Sequence, residues 1–125
     1  MSLKQLQKIQ FNINDKIGQV EKIIGKEGDN LTRGLEVQLL NNSVVVNDIS
    51  DIDCTLIAKQ KGKDAEDTFV VPGVKVENKY EIIYPSNLMK PGIVEAELRF
   101  TQDDKILTSS IFRINMARTL IGKWK

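Results

Sequence analysis

The sequence predicts an all-β domain, a sandwich of about eight short strands. Three observations carry this. Gly92 to Met116 alternates apolar and polar residues on both sides of a polar turn, the mark of a half-buried hairpin. Shorter alternating runs recur upstream, separated by Gly, Pro, Asn and Asp clusters at intervals of roughly ten residues. Finally, 125 residues with 41% hydrophobic and 28% charged content fit one domain whose core needs no disulfide or metal. The layout expected is an antiparallel, immunoglobulin-like β-sandwich over residues 8–116, with a short helical or extended tail at 117–125. The Cys…Trp…Cys core of antibody domains is absent, so the likeness is one of layout.

The hairpin sets the core. Val94, Ala96, Leu98 and Phe100 point one way, and Glu95, Glu97, Arg99 and Thr101 the other. On the return, Ile106, Phe112, Ile114 and Met116 share one parity, while Ser109, Arg113 and Asn115 share the other. Both apolar sets fall on even positions, so paired residues must sum to an even number. That favours an odd loop, Asp103-Asp104-Lys105, with Gln102 opposite Ile106. The same register sets Glu95 opposite Arg113 on the wet face.

Upstream, Lys8 to Asn14 alternates Ile9, Phe11 and Ile13 against polar neighbours and reads as the first strand. Asp15 to Gly18 reads as a turn. Gln19 to Lys26 fits one helical turn as well as a short strand, but its glycines make it too short for an isolated helix, and it is assigned as strand. After the Gly28-Asp29-Asn30 turn, Leu31 to Leu40 is a strand with Leu35, Val37 and Leu39 inward. Asn41-Asn42-Ser43 turns the chain into a short extended piece, Val44 to Val46. Asp51 to Gln60 then alternates with Ile52, Cys54, Leu56 and Ala58 on one face. Lys61 to Asp67 is a charged loop. Thr68 to Val71 and Val74 to Val76 are β-branched stretches broken by Pro72-Gly73, which marks an edge or a bulge because proline donates nothing to a ladder. Lys79 to Tyr84 carries Tyr80, Ile82 and Tyr84 on one side, and Pro85 to Pro91 is a tight crossover with one 3₁₀ turn.

Composition narrows function more by exclusion than by assignment. A net charge of +1 gives no strong field for nucleic acid or an anionic membrane, so neither is expected as a partner. No apolar run approaches the roughly 18 residues of a membrane helix, and Met1-Ser2-Leu3-Lys4 does not read as a signal peptide. The chain has no histidine, which removes histidine-based acid–base catalysis and the commonest zinc ligand. Cys54 lies on an apolar parity and reads as a small buried hydrophobe. Clusters at Asp48, Asp51 and Asp53, at Asp64, Glu66 and Asp67, and at Asp103 and Asp104 lack the spacing of a calcium loop and read as solvated turns. Gly25-Lys26-Glu27-Gly28 lacks the Gly-Lys-Ser/Thr ending of a phosphate loop. No catalytic, cofactor or metal site is therefore expected, and the chain is read as no enzyme. Ala117 to Lys125 is basic, with Leu120, Ile121 and Trp124 at helix-compatible spacing. These three are the candidate interface residues, in a segment that reads as a frayed tail, a strap across the sandwich, or the start of a connector to another module or subunit.

The order of these features resembles the N-terminal domain of phage baseplate upper proteins. The matching residues are Gly28-Asp29-Asn30 with Thr32 and Arg33 leading into Leu35-Glu36-Val37-Gln38-Leu39. They continue in Pro91-Gly92-Ile93-Val94-Glu95-Ala96-Glu97-Leu98, and in Leu107-Thr108-Ser109 before Ile111-Phe112-Arg113-Ile114. The resemblance covers about Ile9 to Met116. It implies a structural protein of the phage virion, made in the bacterial cytoplasm, that docks an upper baseplate protein to the central tail hub. It implies other baseplate or tail proteins as partners. It further implies a homotrimer formed by regions after the domain, which carry receptor-binding modules, with residues 117–125 opening the connector. Asp29 and Arg33 are expected to shape a turn through a local salt bridge. The competing reading is a carbohydrate or cell-wall binding sandwich, which needs Tyr80, Tyr84 or Trp124 exposed on one face.

Overall fold

The computed structural model describes residues 5–13, 23–26, 33–60, 68–88, 92–109 and 111–117. Among them the chain forms two sheets. The first sheet takes β1 (Gln5–Asn12), β3 (Arg33–Asn41), β8 (Lys79–Ile83) and β7 (Val74–Val76) in that order, with β4 (Val44–Val45) also paired to β3. The second takes β2 (Ile23–Lys26), β11 (Phe112–Ala117), β9 (Gly92–Gln102), β5 (Asp53–Gln60) and β6 (Thr68–Pro72), with β10 (Lys105–Thr108) also paired to β9. One 3₁₀ turn, Ser86–Leu88, joins β8 to β9 and buries Leu88. The fold is all-β and a sandwich, as the alternation requires.

Its strand directions are a correction. The sheets are mixed: β1 runs parallel to β3, and β2 parallel to β11. A parallel pair needs a long crossover, and here the chain leaves the first sheet after β1, adds β2 to the second, and returns as β3. Side chains alternate identically in parallel and antiparallel strands, so periodicity carries no direction. The strand at Gln5 also begins earlier than Lys8, and β11 runs through Ala117.

The core is the meeting of the two inner faces. Leu35, Val37 and Leu39 of β3, with Tyr80 and Ile82 of β8, face Cys54, Leu56 and Ala58 of β5 and Val94, Ala96, Leu98 and Phe100 of β9. All are buried. Phe100 is the pivot between sheets: its ring stacks on Phe11 at 5.1 Å between centroids and meets Tyr80 edge-on at 6.0 Å. Pro72-Gly73 is where the chain changes sheets, from edge strand β6 to edge strand β7. The Gly73 N–H donates to the Cys54 carbonyl at 2.8 Å, so the crossing stays tied to β5.

The β9 hairpin differs from expectation at its tip. Gln102 pairs with Lys105, so the loop has two residues, and Asp103 takes a left-handed φ of 55°. Aspartate tolerates that conformation better than most residues, and a two-residue loop matches the strand twist. Along β10 the pairs then sum to an odd number. Ile106 falls opposite Thr101, away from the core, and is 65% exposed, whereas the sequence placed it inside. The even register returns in β11, where Phe112 pairs with Ala96 and Arg113 with Glu95 as expected.

The two registers meet in a bulge between Ser109 and Phe112, where the return uses one residue more than β9. Ser109, assigned to the wet parity from sequence, is buried here. Its N–H donates to the Leu98 carbonyl at 2.8 Å, and its Oγ accepts the Leu98 N–H at 2.9 Å. The hydroxyl thus occupies the place of the ladder carbonyl that the bulge displaces. Ser109→Ala is expected to cost about 1–3 kcal/mol by leaving a buried donor without this acceptor, read as a lowered denaturation midpoint. Ser109→Thr, which keeps the hydroxyl, is expected to lose less.

Candidate interaction surface

Leu120, Ile121 and Trp124 lie outside the described residues, as do Asp29 and the charged stretch 61–67. Tyr80 and Tyr84, two of the three aromatics that a sugar platform would need, are 0% and 1% exposed. The Tyr80 hydroxyl donates to the Ile52 carbonyl at 2.8 Å. The Tyr84 hydroxyl is buried and has no hydrogen-bond partner among the described residues. Burial pushes both phenols above their ordinary range. Removing an unsatisfied hydroxyl restores nothing to water and loses no bond, so Tyr84→Phe is expected to be neutral or to stabilise by up to about 1 kcal/mol, read by thermal melting.

Cys54 is also interior, and burial pushes its thiol up to about 12. It is thus a packed hydrophobe with no thiolate at neutral pH. The sign of its linkage is definite. Its folded pKa is raised above the unfolded value, so between about pH 9 and 12 the folded state holds a proton that the unfolded state has lost. Stability is expected to fall as pH rises through that window, and Cys54→Ala to flatten the fall in a denaturation series.

The outer faces of the two sheets are mixed in charge. On the first, Lys8, Gln10, Glu36, Gln38 and Lys79 border a shallow groove; Gln10 Nε2 donates to Gln38 Oε1 at 2.9 Å, and Lys79 Nζ lies 3.8 Å from Glu36. On the second, Arg99 lies 3.6 Å from Glu97, and Glu95 sits beside Arg113 and Lys59 in register. Such exposed pairs are worth little each and produce no field that selects a charged ligand.

The end of the sandwich at the β9–β10 turn is different. The chain crosses between sheets through residues 46–52, a segment fastened on several sides. Asp48 accepts from Ser50 N and Oγ at 3.1 and 2.7 Å, which holds its carboxyl below the usual range. Lys75 Nζ donates to the Ser50 carbonyl at 2.9 Å and lies 3.0 Å from Asp53. Gln102 Nε2 donates to Asp51 at 2.8 Å. The aspartates are turn-formers here, and among the described residues no group of three or more acidic or cysteine side chains gathers as metal ligands. Between this segment and the hairpin lies a largely apolar dimple of about 220 Å³, lined by Ile13, Leu39, Ile52, Phe100, Ile106 and Leu107, with Thr101, Gln102 and Lys105 on its polar side. Sequence reasoning missed it because it assigned Ile106 to the core. A two-residue Asp-Asp turn was the signal that would have found it.

Comparison with solved structures supplies what these surfaces do not. The fold is shared with the N-terminal domain of phage TP901-1 ORF48, a baseplate upper protein. The TM-score is 0.63 at 11% sequence identity, over 90% of this chain and 98% of that one. No family model and no curated protein matches the sequence. The residues that carried the resemblance in sequence lie largely on structural strands: Leu35 to Leu39 on β3, Gly92 to Leu98 on β9, and Phe112 to Ile114 on β11. No helix among the described residues is long and apolar enough to cross a membrane.

Proposed function

We propose that this chain is a structural component of a phage tail baseplate, a docking module that attaches receptor-binding modules to the central hub. The observation that carries the reading is the shared fold with a baseplate upper protein's N-terminal domain, which spans nearly all of both chains. At 11% identity the match concerns the backbone, and the function rests on it together with the ordered motifs on β3, β9 and β11. The mechanism is assembly by surface complementarity, with no chemistry performed by the chain. The virion is then its site of action, other tail proteins are its partners, and regions after the domain carry the receptor-binding modules and their trimer. Burial of Tyr80 and Tyr84 weighs against the carbohydrate-binding reading, since neither ring is open to stack on a sugar.

The test is a pull-down with the tagged chain from a phage-induced lysate, with the retained proteins identified by mass spectrometry. Recovery of tail hub proteins is expected. Recovery of none, together with retention of the chain on purified cell walls, overturns the docking reading in favour of saccharide binding.

A further inference from the structure

We propose that the apolar dimple at the β9–β10 end receives the basic C-terminal segment, residues 118–125, of a second copy of this chain, giving head-to-tail association. The inference does not depend on the baseplate reading. Its first support is the character of the dimple. Ile106 and Leu107 are 65% and 40% exposed at its lip, over a floor formed by Phe100 and Leu39. An opening of about 220 Å³ suits one or two large apolar side chains inserted as anchors.

Charge gives the second support. Among the described residues, Asp48, Asp51, Asp53, Asp103 and Asp104 lie at this end, against Lys75, which is engaged with Asp53, and Lys105, which lines the dimple itself. Acidic groups around an apolar opening select an apolar segment that carries positive charge. The sequence after Ala117, Arg-Thr-Leu-Ile-Gly-Lys-Trp-Lys, has that chemistry: Arg118, Lys123 and Lys125 with Leu120, Ile121 and Trp124.

Reach decides that the segment comes from another copy. β11 ends beside the start of β9, with Met116 paired to Gly92, while the dimple lies at the other end of β9, beside Phe100 to Gln102. The 11 residues of β9 separate the two ends by about 33 Å. Eight residues extend to about 29 Å at most, and the chain must first reverse direction. A segment that leaves one end of the sandwich and fits the other joins successive copies by unlike surfaces, and such a contact closes into a ring or runs on as a filament.

The experiment uses the full chain and two single variants in analytical ultracentrifugation. Ile106→Glu places a charge at the exposed lip, and Trp124→Ala removes an anchor from the segment; circular dichroism checks that each retains its sheet. The parent is expected to self-associate, with affinity falling about tenfold between roughly 50 and 500 mM salt. Each variant alone is expected to be monomeric. Mixed, they are expected to form a one-to-one heterodimer, because the Ile106→Glu chain keeps a good segment and the Trp124→Ala chain a good dimple. Should Ile106→Glu fail to fold, Asp104→Lys at the exposed turn replaces it, with about a tenfold loss of affinity expected. A monomeric parent, association that survives either variant, or a mixture that stays monomeric overturns the proposal. Survival in Trp124→Ala alone assigns the dimple to a different occupant.

Discussion

Gly34→Ala is expected to leave little folded protein. Gly34 lies in β3, between β1 and β8, paired with Leu6 on one side and Ile83 on the other. A methyl group built on its Cα collides with the Ile82 carbonyl oxygen, and it would lie 2.9 Å from the Ile82 carbonyl carbon and 3.0 Å from the Ile83 Cα. These are main-chain atoms within a ladder, so no side-chain rotation relieves the overlap. Relief requires β8 to move off β3, which breaks the pairs from Gly34–Ile83 to Gln38–Lys79 and opens the core over Leu35 and Ile82. A cost of roughly 3 kcal/mol or more is expected, a large part of the 5–15 kcal/mol that domains typically possess. Soluble yield and a urea denaturation curve read the effect. Gly73→Ala is the internal comparison: its added carbon meets the Cys54 carbonyl oxygen at 3.0 Å and Tyr80 Cβ at 3.3 Å, so a smaller loss is expected. A Gly34→Ala protein that melts with the parent shows that β8 is not seated on β3 in this register.

The second large effect is expected at Phe100. Phe100→Ala removes a ring buried between the sheets and opens a cavity beneath Phe11 and Tyr80, at an expected cost of about 3–5 kcal/mol. Part of that cost is aromatic contact, about 0.5–1.5 kcal/mol per pair beyond area burial. Phe100→Leu keeps most of the volume and is expected to lose about half as much. Comparing Phe100→Ala, Phe11→Ala and the double variant isolates the stacked pair. Simple additivity of the two losses means the rings do not touch across the sheets.

Much of this architecture was legible in the chain. Leu35, Val37 and Leu39 are inward by parity alone, and parity also puts Tyr80, Ile82 and Tyr84 on one face and Val94, Ala96, Leu98 and Phe100 on another; all are buried. The reason is that a pleated strand sends successive side chains to opposite faces, so an alternating sequence reports its own orientation. The Glu95–Arg113 pair followed from the same rule. Pro72-Gly73 as an edge or a bulge followed because an imide nitrogen has no hydrogen to give, and the structure makes it an edge. The candidate interface residues Leu120, Ile121 and Trp124 follow from their helix-compatible spacing in a basic segment; they lie outside the described residues and remain a proposal.

Parity failed at Ile106 and Ser109, where it assumed one uninterrupted return strand. A two-residue turn and a compensating bulge cancel over the length of the hairpin, so Phe112, Ile114 and Met116 are right while the residues between are reversed. Ser109 was free to enter the core because its hydroxyl finds the Leu98 amide there, a bond that spans 11 positions and that no local pattern displays.

The sequence by itself therefore determined that the protein is a β-sandwich and which side chains fill it, because burial acts on each strand through its own alternation. Tertiary structure decided the rest: that β1 and β2 join their sheets in parallel, that the chain changes layer at Pro72-Gly73, and that an apolar dimple opens beside the β9–β10 turn. Those outcomes depend on which strands meet and in which direction, and pairing is a relation between distant segments that neither segment carries alone.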